Sequence, residues 1–329
     1  MKKRNVIIDE FRIVAVVLVI MIHSFLVPQL SNSNFYYDGG SLIANTIGRY
    51  AVPIFMLITS YYYFLNPTSQ HKKKIIKNFL RLWFVWIIIY IPRISLLKGD
   101  TFIEFIKAMV FTLFGKSIFY AGSWYLTASI FGIIVVDFLR QKGLWKFSNI
   151  LSLIILFLCC ANSTYFQWLN KFDLGFSQGN LSTSIIVGIL WVTLGWDIVC
   201  LQSKLSQVGN LKYVIFAILL TMVEHEIVCL FSKNATYPRL ADIYFTLPIS
   251  VTIIFIYMID HARMIEKNKV MFLRDLSTLM YFVQWGVLSF VESHCPVKYF
   301  FPLNLLITFG ISILILKLSR KVTVLKLLY

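Results

Sequence analysis

The stretch Ile8–Ser24, IDEFRIVAVVLVIMIHS, sets the class of the protein. An otherwise apolar run carries Arg12 near its start and His23 eleven residues later, with Asp9 one turn before the arginine. On an α-helix that separation is roughly 16 Å along the axis and about 20° from three whole turns, so Arg12 and His23 share one face. Ionisable groups in such a segment are costly in lipid and normally face a bundle interior or an aqueous cavity.

The rest of the chain reads as membrane protein. Of 329 residues, 58% are apolar and 14% charged, with a mean hydropathy of +0.76. A soluble domain leaves more charge at its surface, so the expected class is all-α and polytopic. The net charge of +16 comes from short basic clusters between apolar spans, which is a topology signal rather than a nucleic-acid surface. The five cysteines have neither CxxC spacing nor a cluster of histidines beside them, so structural roles are expected and no metal site. The basic N-terminus is followed by no small-residue cleavage site, and residues 7–28 read as a retained first helix.

Windows of about 20 residues give about ten spans: 7–28, 43–64, 79–97, 121–140, 148–162, 183–201, 211–231, 243–261, 277–293 and 299–318. Residues 102–114 read as an amphipathic helix at the interface. With these limits 21 of the 31 Lys and Arg residues fall on the side of the termini and seven on the other, so both termini are expected in the cytoplasm. One membrane domain, 1–329, is expected.

Further polar residues interrupt the spans. Arg49 lies inside the second, where it either snorkels to the outer interface or, as the first span favours, faces a cavity. Pro53 is expected to kink that span, and Ser60 lies near its cytoplasmic side. Most of the run HKKKIIKNFLR reads as a solvated cytoplasmic loop, but Arg81 falls in helical register, where a guanidinium could grip phosphate. Trp124 opens the fourth span as an aromatic-belt residue or a contact for substrate. In the seventh, Glu224, His225 and Glu226 stand together, and Glu224 is the first candidate to point inward. Gln284 in the ninth either bonds a neighbouring helix or serves the site.

Taken together, Asp9-x-x-Arg12-x10-His23, the segment Gly48–Phe64 with Arg49, Pro53 and Ser60, the Trp124-Tyr-Leu stretch, the Glu224 region with ADIYFTLP, and STLMYFVQ resemble, in order, the motifs of the acyltransferase-3 family of integral membrane acyltransferases. The Glu224 block is especially similar to the membrane portion of the vancomycin-resistance serine racemases. Two places depart from the family pattern: Ser60-Tyr61-Tyr62 replaces Ser-Gly-Tyr, and Asn78 with Arg81 replaces Arg-x-x-Arg, with Lys77 beside the first.

The resemblance implies a plasma-membrane enzyme that moves an acyl group, acetyl or succinyl, from cytoplasmic acyl-CoA to a hydroxyl of a cell-surface carbohydrate or similar acceptor. Its partners would be the lipid bilayer, acyl-CoA and that acceptor, with no nucleic acid and no metal. His23 and Glu224 are the catalytic candidates, His23 acting as a base or as an acylated relay. Asp9, Arg12, Arg49, Ser60, Arg81, Trp124 and Gln284 are the substrate-binding candidates. The competing expectation is a permease for a small polar solute such as serine, in which His23 and Glu224 relay protons.

Overall fold

The computed structural model describes residues 3–31, 39–90, 121–165, 181–205, 209–231 and 242–329. They form two compact units: residues 1–55 with 202–329, and residues 56–201. The two boundaries between them, at 55/56 and 201/202, each fall inside a helix.

The first unit holds α1 (Val6–Ser31), the short α2 (Gly39–Asn45), the start of α3 (Ala51–Leu65), α8 (Leu211–Phe231), α9 (Leu247–Asp260), α10 (Lys267–His294) and α11 (Phe300–Leu318). Between α2 and α3 a 3-10 turn, Ile47–Tyr50, packs against α1, α2, α8 and α9. Pro53 sits in the first turn of α3 rather than at a kink inside a helix. Its missing N–H is one that a helix start leaves unpaired anyway.

Two contacts tie the start of α1 to the far end of the unit. Residues Lys3–Asn5 (β1) pair antiparallel with Met264–Glu266 (β2), between α9 and α10, and Asn5 Nδ2 donates to the Met258 carbonyl at 3.2 Å. Because β1 precedes the first span and β2 follows the eighth, this pairing requires an even number of crossings between them. Helices α8 and α9 meet along a polar seam, in which Ser250 donates to the Ala217 carbonyl at 2.8 Å and lies 2.9 Å from the Thr221 hydroxyl.

The second unit holds the remainder of α3 with α4 (Ser69–Tyr90), α5 (Trp124–Gln141), α6 (Trp145–Asn162) and α7 (Val187–Leu205). Small residues let its helices touch. A Cβ at Gly132 would lie 2.3 Å from the Gly188 carbonyl oxygen, and one at Gly188 would lie 1.8 Å from that of Ala128. The Ala128-x3-Gly132 spacing therefore sets the crossing of α5 and α7.

Each of the ten expected spans carries a helix. Leu42–Leu65, Trp145–Asn162, Leu211–Leu230 and Val297–Leu318 are long and apolar enough to cross a membrane by themselves. The distribution of residues is that of an all-α membrane protein. Ile215, Leu219, Val223, Ile227 and Leu230 form an exposed apolar stripe on α8, whereas Asp9, Asp137, His225, Gln284 and Asn304 are buried. The third span differs from expectation at its start, since α4 begins ten residues earlier and takes the basic run into helix. Lys73, Lys74 and Lys77 stay exposed, but Lys72 turns inward to Asp137. The expected interfacial helix at 102–114 and residues 91–97 of the third span lie outside the described residues.

Gly188→Ala is expected to force α5 and α7 apart, lowering stability by about 1–3 kcal/mol. Gly310 of α11 has no atom of the described residues within 4 Å of its Cβ position, so Gly310→Ala is expected to be neutral or stabilising. Thermal midpoints of the two purified variants check both.

Candidate functional site

His23 lies in the penultimate turns of α1, partly buried, with its ring 4.0 Å from that of Trp285 and inclined at 54°. The helix is continuous from Val6 to Ser31, so the shared face of Arg12 and His23 is realised. Asp9 is fully buried and faces Arg12, whose Nε is 3.7 Å from Asp9 Oδ1. Beside His23, Ser24 accepts from Asn304 Nδ2 at 3.2 Å, and Asn304 Oδ1 accepts from Thr308 at 3.1 Å. These buried groups fix the histidine-bearing end of α1 against α11. Gln284 is fully buried and bonds its own helix, Nε2 donating to the Tyr281 carbonyl at 3.2 Å.

Arg49 does not snorkel. Its side chain is 9% exposed, and Nη1 donates to Asp242 Oδ1 at 2.6 Å. Its Nη2 donates to Asn45 Oδ1, one turn earlier, at 3.3 Å. Tyr244, two residues beyond Asp242, donates its hydroxyl to the Asn45 main-chain carbonyl at 3.1 Å and lies 2.8 Å from Nδ1 of the fully buried His225. The turn that carries Arg49 packs on both α1, which bears His23, and α8, which bears His225. One buried cation, two histidines and one carboxylate therefore share the interior of this unit.

Glu224 has a different environment from the one its catalytic candidacy anticipates. Oε1 accepts from the Phe245 N–H and Oε2 from the Thr246 N–H, both at 2.8 Å. These amides precede α9, so the carboxylate satisfies donors that the helix start leaves open and sits at the positive end of its dipole. Both oxygens are engaged in holding α8 to α9.

The remaining candidates belong to the second unit. Ser60 is fully buried, its hydroxyl directed at the Met56 and Leu57 carbonyls at 2.9 and 3.2 Å, and it packs on Gly195, where a Cβ would lie 1.9 Å from Ser60 Oγ. Arg81 is partly buried on α4, and Trp124 is partly buried at the start of α5. In the same unit, Asp137 of α5 is 1% exposed and accepts from Lys72 at 2.7 Å, from Gln141 at 2.8 Å, and from Arg140 through Nε and Nη2 at 3.1 and 3.0 Å. This neutralised carboxylate fixes the basic end of α4 on α5.

Four residues of the interior were not singled out from sequence: Asn45, Asp242, Tyr244 and Asp137. For Asp242 the available signal was a carboxylate abutting an apolar run, in ADIYFTLP, together with a buried arginine still needing a counter-charge. Among the described residues, no group of three or more His, Cys, Asp or Glu side chains is placed to hold a metal ion.

Comparison with known proteins adds a family and two relatives. The acyltransferase-3 family, described as an acyltransferase domain, matches residues 5–318. An amino-acid racemase of Enterococcus faecalis is 27% identical over 350 aligned residues, covering 99% of this chain and 48% of that protein. A serine/alanine racemase of Enterococcus gallinarum is 29% identical over 136 residues, covering 39% of this chain and 19% of that protein. The chain thus spans less than half the length of these curated relatives. No solved structure matches it.

If Glu224 acts by capping α9, Glu224→Gln exchanges one of two charge-assisted acceptors for an amide N–H facing a backbone N–H. A stability loss of about 1–3 kcal/mol is expected, with turnover retained in the fraction that remains folded. Thermal midpoint and specific activity, measured on one preparation, separate this outcome from a catalytic role, which would abolish turnover at unchanged stability.

Proposed function

Because the chain belongs to the acyltransferase-3 family, we propose that it is a membrane enzyme moving an acetyl or succinyl group from cytoplasmic acyl-CoA to a hydroxyl of a cell-surface carbohydrate or similar acceptor. The observation that carries this reading is His23, set in an apolar helix against Trp285, with the turn that bears the buried Arg49 packed on the same helix. The neutral imidazole is the form that accepts a proton in such a step.

In the proposed step His23 takes the proton of the acceptor hydroxyl as its oxygen attacks the thioester carbonyl carbon. The carbonyl oxygen gains negative charge, which Arg49, oriented by Asp242, stabilises. The C–S bond then breaks, and the CoA thiolate recovers the proton from the imidazolium. Arg12, oriented by Asp9, serves the pantetheine or phosphates of the donor, and Arg81 its nucleotide phosphates. Trp124, Ser60 and Gln284 are assigned to substrate by family resemblance alone. We place the chain in the plasma membrane with both termini cytoplasmic, a topology supported by the basic-residue bias and by the even number of crossings that β1–β2 pairing requires.

A second reading, a permease for a small polar solute such as serine, draws on the printed name of one relative, a serine/alanine racemase. Membranes incubated with radiolabelled acetyl-CoA or succinyl-CoA separate the two. Protein- and acceptor-dependent release of free CoA supports the enzyme, whereas solute uptake without it supports the permease.

His23→Ala is expected to abolish acyl transfer in purified, folded protein while leaving acyl-CoA binding largely intact, and retained transfer removes His23 from the mechanism. Arg81→Ala is expected to weaken acyl-CoA binding by about 1–3 kcal/mol, read by titration calorimetry, while acceptor binding is unchanged.

A further inference from the structure

A guanidinium carries five N–H donors and no acceptor, and those of Arg49 are only partly used. Nη1 is spent on Asp242 and Nη2 on Asn45. The Nε–H, which shares an edge of the planar group with Nη2, meets no acceptor among the described residues although the atom is buried.

Asn45 is in the same condition. Since the guanidinium can only donate, the amide must present its oxygen to Nη2, and this fixes which end of Asn45 is which. Its NH2 is left buried and without an acceptor among the described residues, in a residue 1% exposed. Unsatisfied buried donors carry a free-energy penalty and are rare. Of the several such atoms among the described residues, these two are on side chains that touch each other.

The surroundings hold both groups without competing for the unused donors. Asp242 fixes the far end of the guanidinium. Tyr244 gives its single proton to the Asn45 main-chain carbonyl, so in the His225–Tyr244 contact it is Nδ1–H of the imidazole that donates. His225 and Tyr244 thus anchor the backbone of Asn45, and Arg49 anchors its side-chain oxygen.

We propose that Asn45 Nδ2–H and Arg49 Nε–H form the oxyanion site of acyl transfer, which makes Asn45 a catalytic residue and Asp242, Tyr244 and His225 positioning residues. This rests on the acyl-transfer reading above. As the acceptor oxygen bonds to the thioester carbon and His23 takes its proton, the carbonyl π electrons move to oxygen, where the two donors meet them. When the carbonyl re-forms, the C–S bond breaks and the thiolate leaves with the proton from His23. Donors fixed beforehand in a water-poor interior need no rearrangement as the charge develops.

The decisive variant is Asn45→Asp, nearly isosteric, which keeps an oxygen for Arg49 but replaces the donor with an anion. In radiolabelled acyl transfer by the purified full chain, kcat is expected to fall at least 100-fold, with KM for acyl-CoA and acceptor within about threefold of wild type. Asn45→Ala is expected to lose about 100- to 1000-fold in kcat. The aspartate result stands by itself if the alanine variant does not fold.

Were Asn45 only a support for Arg49, the aspartate variant would hold the guanidinium at least as firmly, so activity within tenfold of wild type overturns the proposal. A loss confined to KM also overturns it, because the donors would then serve a ligand in its ground state. Absence of transfer by the wild-type chain overturns the acyl-transfer reading itself and is distinguishable from both, since no variant is involved.

Discussion

A positive charge inside a membrane helix bundle must be paired, and Asp242 supplies the counter-charge for Arg49 at 2.6 Å. The rest of the first unit is arranged around that pair. The five residues before α9 are anchored three ways: Asp242 by Arg49, Tyr244 by Asn45 and His225, and the amides of Phe245 and Thr246 by Glu224. On the other side, the 3-10 turn that carries Arg49 packs on four helices, including the one that carries His23. A guanidinium held from both sides keeps its charge and direction where a mobile side chain would turn towards the interface.

The histidine is fixed by similar means. Pairing of β1 with β2 and the Asn5 contact hold the start of α1, while Ser24, Asn304 and Thr308 hold the end that bears His23. These are polar contacts because lipid offers no hydrophobic gain for bringing apolar helices together. The second unit reaches close contact by the other available route, small residues at Ala128, Gly132, Gly188 and Gly195, and neutralises one buried carboxylate, Asp137, with the basic start of α4.

The legible part of this design was what stands out against an apolar background. Arg12, His23, Arg49 and Glu224 each interrupt an apolar run, and the ten spans follow from hydropathy alone, so their presence in helices needed no tertiary information. Partners were less accessible. Arg49 and Asp242 are 193 residues apart, and no periodicity links them. Glu224 stood out because a carboxylate in a span is costly, and that cost is met where its oxygens take two backbone N–H groups, partners that no sequence pattern indicates. The basic run at the start of α4 looked solvated because its charges are dense, yet Lys72 is turned inward by Asp137, 65 residues away. A costly residue in a membrane segment thus identifies a polar interior before it identifies a chemical role.

The central role of the Arg49–Asp242 pair is tested most directly by a double-mutant cycle of Arg49→Gln and Asp242→Asn, read as unfolding midpoint and acyl-transfer rate in the same preparations. A buried pair that orients the site gives single variants that are each strongly impaired and a double variant little worse than either, with a coupling of about 1.5 kcal/mol or more. Effects that add to within about 0.5 kcal/mol would contradict it.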